Sequence, residues 1–115
     1  MKIETLTCDE LPTAAEVRPK GYLDALGATL LWETASPLLD AQRNLLLVDL
    51  SGVEMLTSAG ITALIRLKTH IAPLGGRMAL HSPNVNVRKV FRIVGLEGVL
   101  GLCDTREAAL AALRG

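Results

Sequence analysis

The chain has 115 residues, half of them apolar but only three aromatic, so one domain with a core of Leu, Val, Ile and Ala is expected. Twelve acidic residues balance twelve basic ones, which gives no electrostatic case for a nucleic-acid or anionic-membrane partner. Cys8 and Cys103 form neither a disulfide framework nor a metal-ligand spacing, no signal-peptide pattern follows Lys2, and no apolar run approaches the ~20 residues of a membrane span. A cytoplasmic protein with reduced thiols, without membrane insertion, is the expectation.

In chain order, Ile3–Cys8 reads as a short strand ended by Asp9-Glu10-Leu11-Pro12. Ala14–Arg18 is a second strand, paired to the first as a hairpin. Pro19 places it near an edge or cuts it short, because proline donates nothing to a ladder. Gly21-Tyr22-Leu23-Asp24 is a turn leading into a helix over Ala25–Leu39, whose inward stripe is Leu26, Leu30, Leu31, Ala35, Leu38 and Leu39. Trp32 falls off that stripe, as a half-buried flank or a partner contact. Pro37 kinks or ends the helix.

Leu45–Leu50 is a continuous apolar run closed by Ser51-Gly52, the pattern of a fully buried strand. From Ile61 the spacing becomes helical, through Leu64, Ile65, Leu67 and Ile71, with Thr62, Arg66, Thr69 and His70 on the polar side. Between them lies Met55-Leu56-Thr57-Ser58-Ala59-Gly60. Its two hydroxyl residues stand where a helix presents unsatisfied N–H groups and its positive dipole end. By spacing alone, Ser58 is a helix cap, a first-turn residue capped by Thr57, or the seat of an anion. Pro73 and Gly75-Gly76 stop this helix near Ile71.

Arg77–His81 is the next strand, and Ser82-Pro83-Asn84 starts a helix over Val85–Val94, with Val87, Val90, Phe91 and Val94 inward and Gly95 as its C-cap. Arg88, Lys89 and Arg92 form its basic outer side. Val99–Cys103 is a last strand, and Asp104 or Thr105 caps a final helix over Arg106–Leu113. This alternation specifies an α/β fold with a mostly parallel central sheet of about four or five strands and about four helices, mainly on one face.

Catalytic patterns are missing. Leu56-Thr57-Ser58-Ala59-Gly60 lacks the first glycine of a nucleophile elbow, and no phosphate-binding glycine loop occurs. His70 shares the helix of Ser58 but stands ~18 Å along its axis, out of hydrogen-bond reach. The isolated aspartates match no metal site. No enzyme activity, metal or cofactor is expected.

The run VDLSGVEMLTSAGITALI resembles the signature of the STAS domain, in the anti-sigma factor antagonist (anti-anti-sigma factor) family. Asp49, Leu50-Ser51, Val53–Leu56 and Thr57-Ser58-Ala59-Gly60 occupy its successive parts, Thr57 standing where an aspartate is frequent. Gly21-Tyr22-Leu23-Asp24, Leu74-Gly75-Gly76-Arg77 and Val85–Gly98 resemble further family segments, so the likeness spans nearly all of residues 1–115 as a single STAS domain. The resemblance implies a partner-switching protein. Its unphosphorylated form would bind an anti-sigma factor that is a serine kinase of the histidine-kinase-like ATPase class. Phosphorylation of Ser58 would release it, and a PP2C-type phosphatase would reset it. Met55, Leu56, Thr57, Ala59, Gly60, Thr62 and Arg66 are the expected partner surface. The alternative implied is a STAS accessory subunit of a transporter or scaffold, without a phosphorylation cycle; an anion- or nucleotide-binding domain using the helix N-terminus is a third.

Overall fold

The computed structural model describes residues 1–115 as six strands and four α-helices, and no helix is long and apolar enough to cross a membrane. In chain order these are β1 (Lys2–Thr7), β2 (Ala14–Leu23), α1 (Ala25–Ala35), β3 (Leu45–Asp49), β4 (Val53–Leu56), α2 (Ser58–Ile71), β5 (Arg77–His81), α3 (Val85–Val94), β6 (Leu102–Cys103) and α4 (Arg106–Arg114). The sheet runs β1-β2-β3-β5-β6, with β4 attached to β2. Only β1 is antiparallel to its neighbour; every other pair is parallel.

The long strand β2 is where sequence reading and structure part. It does not stop at Pro19: residues Ala14–Val17 pair with β3, and Gly21–Leu23 pair with β4. Pro19 falls in the gap between the two partners, so its missing N–H interrupts neither parallel ladder. Gly21-Tyr22-Leu23 is therefore strand rather than turn, with Gly21 at φ +106° and an irregular register beside it. Strand β4 lacked a sequence signal, being four residues without clear alternation.

Alternate residues of the sheet face two separate cores. Ala15, Val17, Leu46, Val48, Met78 and Leu80 point to α1, α2 and α3 and belong to a cluster of 22 buried residues. Leu47, Ala79 and Ala14 face α4 in a cluster of seven, so three helices cover one face and α4 alone the other.

Helix α1 ends at Ala35 and passes into one 3-10 turn, Ser36–Leu38, that accommodates Pro37. It buries Gly27, Ala28, Leu31 and Ala35, while Leu26 is 84% exposed and Leu30 also faces out. Small residues decide this choice of face: a Cβ on Gly27 would stand 2.6 Å from the Tyr22 carbonyl oxygen, an approach no leucine stripe permits. On α3, Val87 and Phe91 are buried but Val94 is not, and the last strand shrinks from Val99–Cys103 to Leu102–Cys103. Thr105, not Asp104, caps α4, accepting from the Ala108 N–H at 3.2 Å.

The α4 face carries a polar row across neighbouring strands. The Asp49 carboxylate accepts from the Arg18 guanidinium and the Ser51 N–H, both at 2.9 Å. His81, opposite Asp49 on β5, is buried, with Nδ1 2.8 Å from the Ser82 hydroxyl and Nε2 unpartnered. Glu16 is buried beneath Arg106, which bonds both of its oxygens and reaches Glu10 as well, fastening α4 to β2.

Burial would raise the Asp49 carboxyl, but the Ser51 and Arg18 donors outweigh it and hold the group below its ordinary range. At His81 burial dominates in the other direction. It holds the imidazole below its ordinary 6.5 despite Asp49, Glu16 and Glu107, and Arg106 adds to the effect. The folded protein thus binds fewer protons at His81 than the unfolded chain, so stability falls as the pH drops below about 6.5. Urea unfolding between about pH 8 and 5.5 should show that decline, and His81→Gln should flatten it; an unchanged slope would place the proton uptake elsewhere.

Gly60 is the packing hinge of the larger core. A Cβ there would lie 2.6 Å from the Leu23 carbonyl oxygen and 2.7 Å from Leu56 Cδ1. Gly60→Ala should lose about 1–3 kcal/mol in urea unfolding, the usual range for overpacking. A gain in stability, as expected for a helix glycine without close neighbours, would contradict this geometry.

Candidate functional site

Strand β4 delivers the chain to α2 through a single residue, Thr57. Its backbone N–H and its hydroxyl both donate to the Leu23 carbonyl of β2, each at 3.1 Å. The hydroxyl is therefore turned to the strand and caps nothing. The first intrahelical bond runs from the Ile61 N–H to the Thr57 carbonyl, at 3.1 Å. The N–H groups of Ser58, Ala59 and Gly60 precede it, and no side chain caps them. The other three α-helices are capped, by Asp24, Asn84 and Thr105. The first turn of α2 holds no acidic residue either.

Ser58 is the first residue of α2 and is exposed. Its carbonyl accepts from the Thr62 hydroxyl at 3.0 Å, while its own hydroxyl has no hydrogen-bond partner in the chain. Neither histidine serves it: His81 is buried at the end of β5, and the His70 ring lies edge-on to Trp32 at 5.4 Å. No base in this chain stands within hydrogen-bond reach of the Ser58 hydroxyl.

The expected partner surface divides by depth. Met55, Thr62 and Arg66 are exposed, as is Ser58 among them, while Thr57 and Ala59 are half-buried and Leu56 and Gly60 buried. Leu56 and Gly60 hold the surface from beneath and cannot meet a partner directly. Between α1 and α2 runs a shallow groove of about 250 Å³, lined by Ala25, Ala28 and Thr29 on one side and Ala59, Thr62, Ala63 and Arg66 on the other. At its rim the Arg66 guanidinium sits over the Trp32 ring, 4.1 Å from the centroid. Trp32 is thus a half-buried flank residue that also orients a cation.

Sequence reading did not locate Asn84 in the site. Its amide Oδ1 accepts from the Val87 N–H at 2.7 Å, and Nδ2 donates to the carbonyls of Val53 and Glu54 at 3.1 and 3.4 Å. One side chain caps α3 and ties down the open edge of β4. The Ser-Pro-Asn start signal was visible; its long-range partners were not.

A mostly parallel sheet with three helices on one face and one on the other is the arrangement of a STAS domain. Residues 6–103 match the family model described as "Mlab, STAS domain", and the chain belongs to the STAS family, which includes anti-sigma factor antagonists. It is 32% identical over 72 residues to a Thermotoga neapolitana protein provisionally named anti-sigma factor antagonist TM1081 homolog; the match covers 63% of this chain and 64% of that one. Over 109 residues it is 24% identical to the protein provisionally named anti-sigma factor antagonist BtrV of Bordetella bronchiseptica, covering 95% and 94% of the two chains. Its fold matches the anti-sigma factor antagonist SpoIIAA in its unphosphorylated form, with TM-score 0.80 and 21% identity over 99% of this chain and 97% of that one. The phosphorylated form of SpoIIAA, a Bacillus cell fate determinant, matches with TM-score 0.72 and 18% identity over 98% of this chain and all of that one.

Proposed function

We propose that this chain is an anti-sigma factor antagonist of a partner-switching pathway, with Ser58 as its phosphorylation site. The observation that carries the reading is the free Ser58 hydroxyl at the uncapped N-terminus of α2. The names of two relatives, and the existence of SpoIIAA in phosphorylated and unphosphorylated forms, support it. The unphosphorylated form binds an anti-sigma factor that is also its serine kinase; a PP2C-type phosphatase removes the group. The chain is a substrate and ligand in this cycle, not an enzyme.

Magnitudes separate the effect of the phosphate on folding from its effect on binding. The group carries about −1.5 to −2 charges. On the folded domain it meets three unpaired N–H groups and the positive end of the α2 dipole, worth roughly 0.3–1 kcal/mol in favour of the folded state. At a packed interface the same group loses its water, and an uncompensated buried charge costs several kcal/mol. Each ~1.4 kcal/mol is tenfold in affinity, so a loss of about a hundredfold needs no refolding of the domain.

Incubation with the cognate kinase and ATP should therefore add one phosphate, at Ser58 and not at Thr57, whose hydroxyl is committed to the Leu23 carbonyl. Mass spectrometry of the wild type and Ser58→Ala checks the assignment; a mutant that still gains the group would displace it. The phosphoprotein should melt no lower than the unmodified one while binding the kinase about a hundredfold more weakly. Equal affinity of both forms would remove the switch and favour an accessory subunit.

Arg66→Glu should weaken kinase binding about tenfold. Its melting point should move by only a few degrees, because an exposed stack on Trp32 contributes about 0.5–1 kcal/mol. Unchanged affinity would take the interface off the outer side of α2.

A further inference from the structure

Strand β1 is the long edge of the sheet that nothing covers. It ends the strand order, and β2 is its only hydrogen-bonded neighbour. At the opposite end β6 has two residues, and β4 is tied down by the Asn84 amide. An uncovered edge presents a row of unpaired N–H and C=O groups, which proteins block with proline, a bulge, a central lysine or brevity. None of these guards β1. Its six residues pair with β2 in one unbroken register, and Ile3, Thr5 and Thr7 are β-branched. The one charge in mid-strand, Glu4, is engaged by Lys20 of β2 at 2.6 Å.

Symmetry and charge together select the occupant. Thr5 and Thr7 stand opposite Val17 and Ala15, which belong to the larger core, so Ile3, Thr5 and Thr7 share the α1 face of the sheet. A two-fold axis that sets β1 antiparallel to its copy keeps that face of both sheets on one side, so each face meets its own equivalent. Two such registers overlap most of the strand. Centred on Glu4, residues 2–6 pair and two carboxylates stand face to face, which is unfavourable. Centred on Thr5, residues 3–7 pair: Thr5 meets Thr5, each Ile3 meets a Thr7, and each Glu4 meets a Leu6. This second register also carries Lys2 opposite Cys8 and beside Asp9 of the other copy. Lys2 and Asp9 are exposed, and neither has an ion-pair partner within the chain. The two-fold axis makes their contact twice. A strand of an unrelated protein satisfies the same backbone groups but has no reason to answer both free charges.

We infer that β1 is a self-association edge, through which two copies of this chain join into one continuous sheet, antiparallel about Thr5. About four to six backbone hydrogen bonds form across the axis, and so small a contact makes a weak, concentration-dependent dimer. The pairing requires nothing of Ser58, so it stands whether or not the phosphorylation reading holds.

Sedimentation equilibrium of the full chain from about 10 µM to about 1 mM should show monomer passing to dimer. Thr5→Lys sets like charges on the axis at an exposed position. It should weaken the dimer at least about tenfold and leave the melting point within a few degrees of wild type. Lys2→Glu should weaken association, as should raised salt, and adding Asp9→Lys to Lys2→Glu should restore it. Under mild oxidation Thr5→Cys should cross-link to its equivalent above the wild-type background. Thr7→Cys should not, because its equivalent lies roughly 13 Å further along the strand. A chain monomeric throughout would overturn the inference and leave the edge to a strand of another protein. So would undiminished association of Thr5→Lys, or equal cross-linking of the two cysteine variants.

Discussion

The Leu23 carbonyl is the point on which the Ser58 end of the molecule rests. It receives both the N–H and the hydroxyl of Thr57, and it lies so close to α2 that only glycine fits at position 60. Two donors and one missing Cβ thus hold the first turn of the central helix against β2. The consequence reaches the surface directly. With Thr57 turned to the strand, α2 is left without a side-chain cap, and Ser58 is exposed beside unpaired N–H groups. A cap on α2 would be expected to add about 1 kcal/mol; its absence is the local sacrifice of stability that leaves the site open to an anion.

Strand β2 makes this arrangement possible. Its first part is pinned between β1 and β3 and its last part carries β4, so a rigid strand in the middle of the sheet reaches the helix N-terminus. Arg106, bonded to Glu16 and Glu10, clamps the opposite face of the same strand, and Arg18 joins it to Asp49. The polar contacts lie on the α4 side and the large apolar core on the other. On the proposed reading, a phosphate added at Ser58 meets a framework held from both faces, which suits a local change of surface rather than of fold.

Two surfaces flank the Ser58 turn, and they differ chemically. The α1–α2 side is a groove of small residues ending in an arginine held over tryptophan. The outer side of α3 exposes Val85 and Ile93 with Lys89 between them. Asn84 sets their spacing, because it caps α3 while bonding to the strand that leads into the Ser58 turn.

What the sequence determined by itself was local in origin. The continuous run Leu45–Leu50, the helical spacing after Ile61 and the Pro73, Gly75 and Gly95 stops place β3, α2, α3 and the Thr57–Gly60 turn nearly where the structure has them. Buried parallel strands and amphipathic helices write their period into the chain. The STAS resemblance singled out Ser58 for the same reason, since the motif is contiguous. Tertiary structure decided everything that depended on distant partners. Pro19 is tolerated because β2 changes neighbours there, and Leu26 and Leu30 face water because Gly27 and Ala28 let α1 approach more closely than leucine would. Thr57 leaves its own helix uncapped because a carbonyl 34 residues earlier competes for its hydroxyl, and no reading of neighbouring residues contains that competition.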